Sequence, residues 1–138
     1  MTITLDIPSG TTGTSTLLVG DEHTASRVGS GRIGVLATPV MINVIEAAAL
    51  ACCEQKLPPG HQSLGTQLNV SHIAATPVGM HITASVTVVR VEGRKLFFEV
   101  VVRDEIDIIG QGTHERVVVN VAKFDERVQA KIARIGKS

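Results

Sequence analysis

At 138 residues the chain has the length of a single domain, and its 43% hydrophobic residues supply enough apolar material for a packed core and too much for a disordered chain. Thirteen basic and thirteen acidic residues cancel, and the aromatics are three Phe alone, so the chain lacks both a basic stripe for a phosphate backbone and rings on which bases stack. These features exclude a nucleic-acid-binding protein, and no stretch approaches the ~20 apolar residues of a membrane helix.

Residues 1–20, rich in Thr, Ser and Gly, read as an N-terminal arm or a short edge strand, and residues 21–138 as the folded domain. Residues 1–20 hold no Lys or Arg and no sustained apolar block, so no secretory signal is expected and the protein is placed in the cytoplasm. Glu22 to Val28 reads as a first strand, followed by a flexible loop at Gly29-Ser30-Gly31 and Gly34. Thr38-Pro39 then marks a helix start, with Thr38 as the cap and proline preset for the first turn. The helix should run to about Lys56, where Leu57-Pro58-Pro59-Gly60 stops it. Val40, Met41, Val44, Ile45, Ala47, Ala48, Ala51 and Cys52 make it apolar on more than one side, which predicts a helix enclosed by other elements. Cys52 and Cys53 are adjacent, too close for an unstrained bridge or a metal site, and read as reduced buried residues.

Beyond the helix the period becomes two. Leu64, Leu68, Val70, His72 and Ala74 are expected on one face of a long strand, with Gln67, Asn69 and Ser71 on the other. Further strands follow from Met80 to Val91, Lys95 to Arg103 and about Ile108 to Lys123, joined by short turns at Glu92-Gly93 and Asp104 to Asp107. The tail from Asp125 to Ile135 has weak helical spacing. One long helix and then about four hairpin-linked strands predict an α+β fold, an antiparallel sheet wrapped around a central helix. Such a sheet leaves an apolar flank and a strand edge that a two-fold partner can cover, so a homodimer is expected.

With these elements laid out, a series of short motifs becomes specific: Ala37-Thr38, Glu46, Ser63-Leu64-Gly65-Thr66, His72, Ala74-Ala75-Thr76-Pro77, Val91-Glu92-Gly93-Arg94 and Gly112-Thr113-His114-Glu115-Arg116. Together, over about Leu36 to Phe124, they resemble the fluoroacetyl-CoA thioesterase group of hotdog-fold proteins. The resemblance implies a hotdog fold, a homodimer with active sites at the subunit interface, and hydrolysis of a small acyl-CoA without metal or redox cofactor. Residue by residue it places the catalytic threonine at Thr38, the glutamate at Glu46, the histidine at His72, an oxyanion-binding backbone N–H at Gly65 and a substrate-binding or supporting arginine at Arg116. The segment from Val28 to Val35 carries no aromatic residue, where a fluoroacetyl-selective relative is expected to carry an aromatic lid.

Glu46 sits among Ile45, Ala47, Ala48 and Ala49, where an unpaired carboxylate is costly to bury, and His72 falls on the apolar face of its strand. Eight residues of helix separate Thr38 and Glu46 by about 12 Å, so they cannot bond each other directly. An imidazole spanning about 7 to 8 Å between its two partners bridges them if it faces the helix from the sheet, within one subunit or across a dimer. Glu46 then either activates water or attacks the thioester carbonyl itself. His23, His61 and His81 read as surface residues, and no cluster has metal-ligand spacing. Two other readings remain: an enoyl-thioester hydratase on the same scaffold, and an acyl-CoA-binding module without turnover.

Overall fold

A computed structural model describes residues 3–136. Its core is one five-stranded antiparallel sheet and one long helix. The strands are β1 (Thr12–Leu18), β2 (His61–His72), β3 (His81–Glu92), β4 (Lys95–Arg103) and β5 (Ile108–Asn120), and the helices are α1 (Ala25–Val28), α2 (Thr38–Cys53) and α3 (Val121–Ala133). The spatial order is β1-β3-β4-β5-β2, so β1 and β2 form the two edges. The N-terminal segment supplies the edge strand, pairing Thr12 to Leu18 with Thr87 to His81.

α2 lies against β1 and β3. It forms there because Met41, Val44, Ile45, Ala48, Ala49, Cys52 and Cys53 recur at helical spacing and bury together against Ile82, Ala84, Val86 and Val88 of β3. β1 approaches the helix closely enough that a Cβ on Gly13 would stand 2.6 Å from the Cβ of Cys52. Both cysteines are free and buried.

Four local expectations need correction. The segment Glu22 to Val28 is not a strand: it is a helical turn at Asp21–His23 followed by α1. Local bonds decide this, with Gly20 N–H donating to His23 Nδ1, Thr24 Oγ1 donating to the Asp21 carbonyl, and Arg27 pairing with Asp21 at 2.9 Å. Thr38 is not the helix cap; Ala37 holds that position with extended backbone angles, and Thr38 is already helical, which frees its hydroxyl. The last strand stops at Asn120, whose side chain caps α3 by accepting from Lys123 N–H, so residues 121–123 belong to the helix.

The fourth correction concerns β2. Its register with β5 slips between Gly65 and Gln67, leaving Thr66 as an extra residue in a bulge. The bulge reverses the alternation. Leu68 and Val70 keep the core face, but ahead of the bulge that face belongs to Ser63 and Gly65, and Leu64 turns outward with 42% of its surface exposed. The helix is also less enclosed than expected, because Ala47, Leu50 and Ala51 are exposed along one flank.

The tight seam between β1 and α2 is testable. Gly13→Ala forces a methyl into the backbone of α2 and should destabilise the fold by about 1–3 kcal/mol, read by urea denaturation. Unchanged stability would mean that the seam opens freely.

Candidate active site

The expected site residues fall into two groups. At the start of α2, Thr38 Oγ1 lies 2.7 Å from His72 Nδ1, at the end of β2. The hydroxyl is free for this bond because the cap position falls one residue earlier. The pair lines a cavity of about 330 Å³ whose other walls include Arg32, Ile33, Val35 and Leu36 from the glycine-rich loop and Ala74 and Ala75 beyond β2. The walls are mostly apolar and contain no aromatic side chain. His72 Nε2 is buried without a partner among the described residues, and burial pushes the imidazole below its ordinary pKa.

Glu46 lies in the second group, two turns further along α2. It makes no hydrogen bond to His72 among the described residues, so of the two bridges that spacing leaves open, the one within a single chain is not formed. Instead its Oε2 accepts from Arg116 Nη1 at 3.2 Å, and the same oxygen packs against Gly65, where a side chain would push the carboxylate aside. The carboxylate is 37% exposed and the arginine almost fully buried. Arg116 is held by Ser63, with Nε donating to Ser63 Oγ at 2.9 Å and Nη2 to the Ser63 carbonyl at 3.0 Å. Ser63 Oγ in turn donates to Glu54 Oε2 at 3.0 Å, and Ser63 N–H donates to Glu54 Oε1 at 3.1 Å.

His114 completes this network. Its Nδ1–H donates to the Gln67 carbonyl at 2.9 Å, which leaves Nε2 to accept from Arg116 Nη1 at 3.2 Å. The bond pattern requires a neutral ring. Desolvation and the neighbouring Arg116 charge accordingly lower its pKa, and the ring stacks on Phe98 at 5.8 Å between centroids. Ser63 and His114 lie within the motifs quoted from sequence but were given no role there, and Glu54 was not singled out. The available signal was the lone Gly65 inside a strand, which marks a bulge and hence the change of face that brings Ser63 inward.

Two predictions follow from this geometry. Ser63→Ala removes the acceptor of Arg116 Nε and a donor to Glu54, and should cost about 1–3 kcal/mol of stability by urea denaturation; a neutral change would mean that Arg116 finds other partners. The histidines set the pH dependence. Unfolded imidazoles protonate near 6.5, whereas those of His72 and His114 protonate lower when folded, so the unfolded state binds more protons just below that pH. Stability should be full above about pH 6.5 and fall as the pH drops through the folded pKa values, and proton NMR should find both rings titrating below 6.5. A ring titrating above 6.5 would contradict the assigned environment.

Comparison with known proteins agrees with the geometry. Residues 19–122 match the model of the fluoroacetyl-CoA-specific thioesterase family, FlK. The fluoroacetyl-CoA thioesterase of Streptantibioticus cattleyicolor is 42% identical over 97 residues, 70% of each chain. Among solved structures, a variant of the fluoroacetyl-CoA-specific thioesterase FlK in complex with fluoroacetate and CoA superposes with a TM-score of 0.81 at 35% identity, covering 86% of this chain and 99% of that one. A hot-dog-like protein from Thermanaerovibrio acidaminovorans gives 0.83 at 26% identity, over 91% and 93% of the two chains. The helix wrapped by a curled antiparallel sheet is thus a hotdog fold, and the chain belongs to the fluoroacetyl-CoA-specific thioesterase family.

Proposed function

We propose that this protein is an acyl-CoA thioesterase that hydrolyses a small acyl-CoA to the free acid and CoA, and that it works as a cytoplasmic homodimer whose active sites are shared between subunits. Family membership supports the reaction. The observation that carries the shared site is the division of one chain into a Thr38–His72 pair and a separate Glu46–Gly65–Arg116 cluster.

β2 pairs on one side only, with β5, so its other edge presents unsatisfied backbone groups. The exposed flank of α2, with Leu50 and the half-exposed Glu46, is likewise uncovered. A two-fold axis crossing β2 at Asn69, with the bulged Thr66 skipped, pairs the two edges antiparallel and sets His72 of one subunit opposite Gly65 of the other. Each site then combines Thr38 and His72 from one subunit with Glu46, Gly65 and Arg116 from its partner.

In that site the acyl group occupies the apolar cavity beside His72. Either Glu46 attacks the thioester carbonyl carbon or it takes a proton from the water that does so. Negative charge develops on the carbonyl oxygen, where the Gly65 N–H donates, and the C–S bond then breaks. In the base route the proton taken by Glu46 passes to the departing sulfur; in the nucleophilic route water protonates the thiolate and then hydrolyses the acyl–Glu46 anhydride to release the acid. Thr38 and His72 hydrogen-bond to the reacting groups. Arg116 is spent on the protein, where it fixes the carboxylate of Glu46.

Glu46→Gln and His72→Ala should each lower kcat by at least ~100-fold with folding intact. Mixing equal amounts of the two inactive variants is the sharper test: random reassortment makes half the dimers mixed, each with one intact site, so activity should return to about one quarter of wild type. No recovery among verified mixed dimers would place the whole site in one chain. Because the Val28 to Val35 loop offers no aromatic side chain to close over a tiny acyl group, kcat/KM for acetyl-CoA and fluoroacetyl-CoA should lie within a small factor of each other. A fluoroacetyl preference of a thousandfold or more would overturn that reasoning.

A further inference from the structure

A second cavity, of about 180 Å³, lies at the far end of β2 from His72 and is lined by Ile3, His61, Arg94, Asn120 and Lys123. Its charged walls are all basic, and they come from three separate elements: His61 opens β2, Arg94 occupies the β3–β4 turn, and Lys123 stands in the first turn of α3. Backbone bonds fix their relative positions. Val118 N–H donates to the Arg94 carbonyl at 2.8 Å, Val121 N–H donates to the Gly60 carbonyl at 2.9 Å, and His61 is in register with Asn120.

No carboxylate lines the cavity, and neither Arg94 nor Lys123 forms an ion pair among the described residues. His61 Nδ1 lies 3.0 Å from the Pro59 carbonyl, which leaves its other ring nitrogen for a ligand. In a chain of zero formal charge, three convergent basic side chains around an acid-free hollow fit a phosphate-bearing ligand.

The distance to the second half of the site identifies the ligand. His61 and Gly65 share one strand face, four residues apart on a stretch with unbroken register, which is about 13 Å at the usual strand rise. Between the thioester sulfur and the first phosphorus of CoA lie about thirteen covalent bonds, on the order of 16 Å when extended. A carbonyl at the Gly65 N–H therefore leaves the pantetheine arm long enough to reach this cavity within the same subunit.

We propose that His61, Arg94 and Lys123 form the site that binds the phosphate groups of the CoA moiety. The inference rests on the thioesterase reading for its substrate, and its own test separates the two. Arg94 and Lys123 are exposed and belong to neither group of site residues, so Arg94→Ala/Lys123→Ala should fold normally. With acetyl-CoA the double variant should show a KM raised about tenfold or more and a kcat within twofold of wild type. With acetyl-pantetheine, which has no phosphate, wild type and variant should have the same KM.

Calorimetric titration with CoA itself reads the site without turnover, and affinity should fall about tenfold or more in the variant. Unchanged CoA affinity in the folded variant would overturn the proposal, and so would an equal rise in KM for both substrates. Loss of thioester hydrolysis by the wild type, with CoA binding still weakened by the double substitution, would instead sink the thioesterase reading and leave the phosphate site standing.

Discussion

A buried guanidinium sets the arrangement of half of this molecule. Arg116 projects from β5 into the space beneath the end of α2, and a positive charge there is tolerable only if it is fully hydrogen-bonded and neutralised. Ser63, His114 and Glu46 take its donors, and Glu54 closes the network through Ser63. Two carboxylates from one helical segment thus converge on one strand pair. The position of Glu46 is therefore a consequence of satisfying Arg116, and the absence of a side chain at Gly65 leaves the carboxylate room to lie there.

The bulge at Thr66 makes this possible. With an unbroken alternation, the residues facing the helix at the start of β2 would be Gln62, Leu64 and Thr66, and the arginine would meet a leucine. One extra residue changes the phase and turns Ser63 and Gly65 inward while Leu68 and Val70 still reach the core. The same strand can then present a polar, close-packed surface near its start and an apolar one near its end. His72 sits at the apolar end, next to the cavity, and Gly65 at the polar end, next to the carboxylate.

Much of the fold was legible because its signals are long-range periodicities. The apolar stripe of α2, the alternation in β3 and β4, and the Gly-containing turns gave the α+β layout and most boundaries. What escaped was decided by single local contacts. The turn at Asp21–His23 competes with a strand through three side-chain bonds, the cap falls on Ala37 although threonine is the better capping residue, and the β2 face depends on one inserted residue. The site residues were found through short motifs, but their grouping was not. Spacing along α2 showed that Thr38 and Glu46 cannot touch, and it left a histidine bridge open either within one chain or across two. In the competition for partners within the chain, Arg116 holds that carboxylate and Thr38 holds His72.

That competition bears on how the chemistry is organised. Thr38 occupies the first ring nitrogen of His72, and the second is buried without a partner among the described residues, an arrangement that costs free energy in an isolated chain. The carboxylate is likewise left partly exposed on an apolar flank of α2 beside Leu50, in place of the core setting that its neighbours in sequence imply. Within the chain the two groups stay apart, His72 with an unpartnered ring nitrogen and Glu46 with its carboxylate paired to Arg116 but partly exposed. In the proposed homodimer an antiparallel meeting of two β2 edges would bring the two groups together, because the two-fold that satisfies the strand edge also exchanges the two ends of the strand. The free edge, the uncovered flank and the divided site therefore have one common physical remedy in the proposed homodimer, which would complete the site as well as cover the edge.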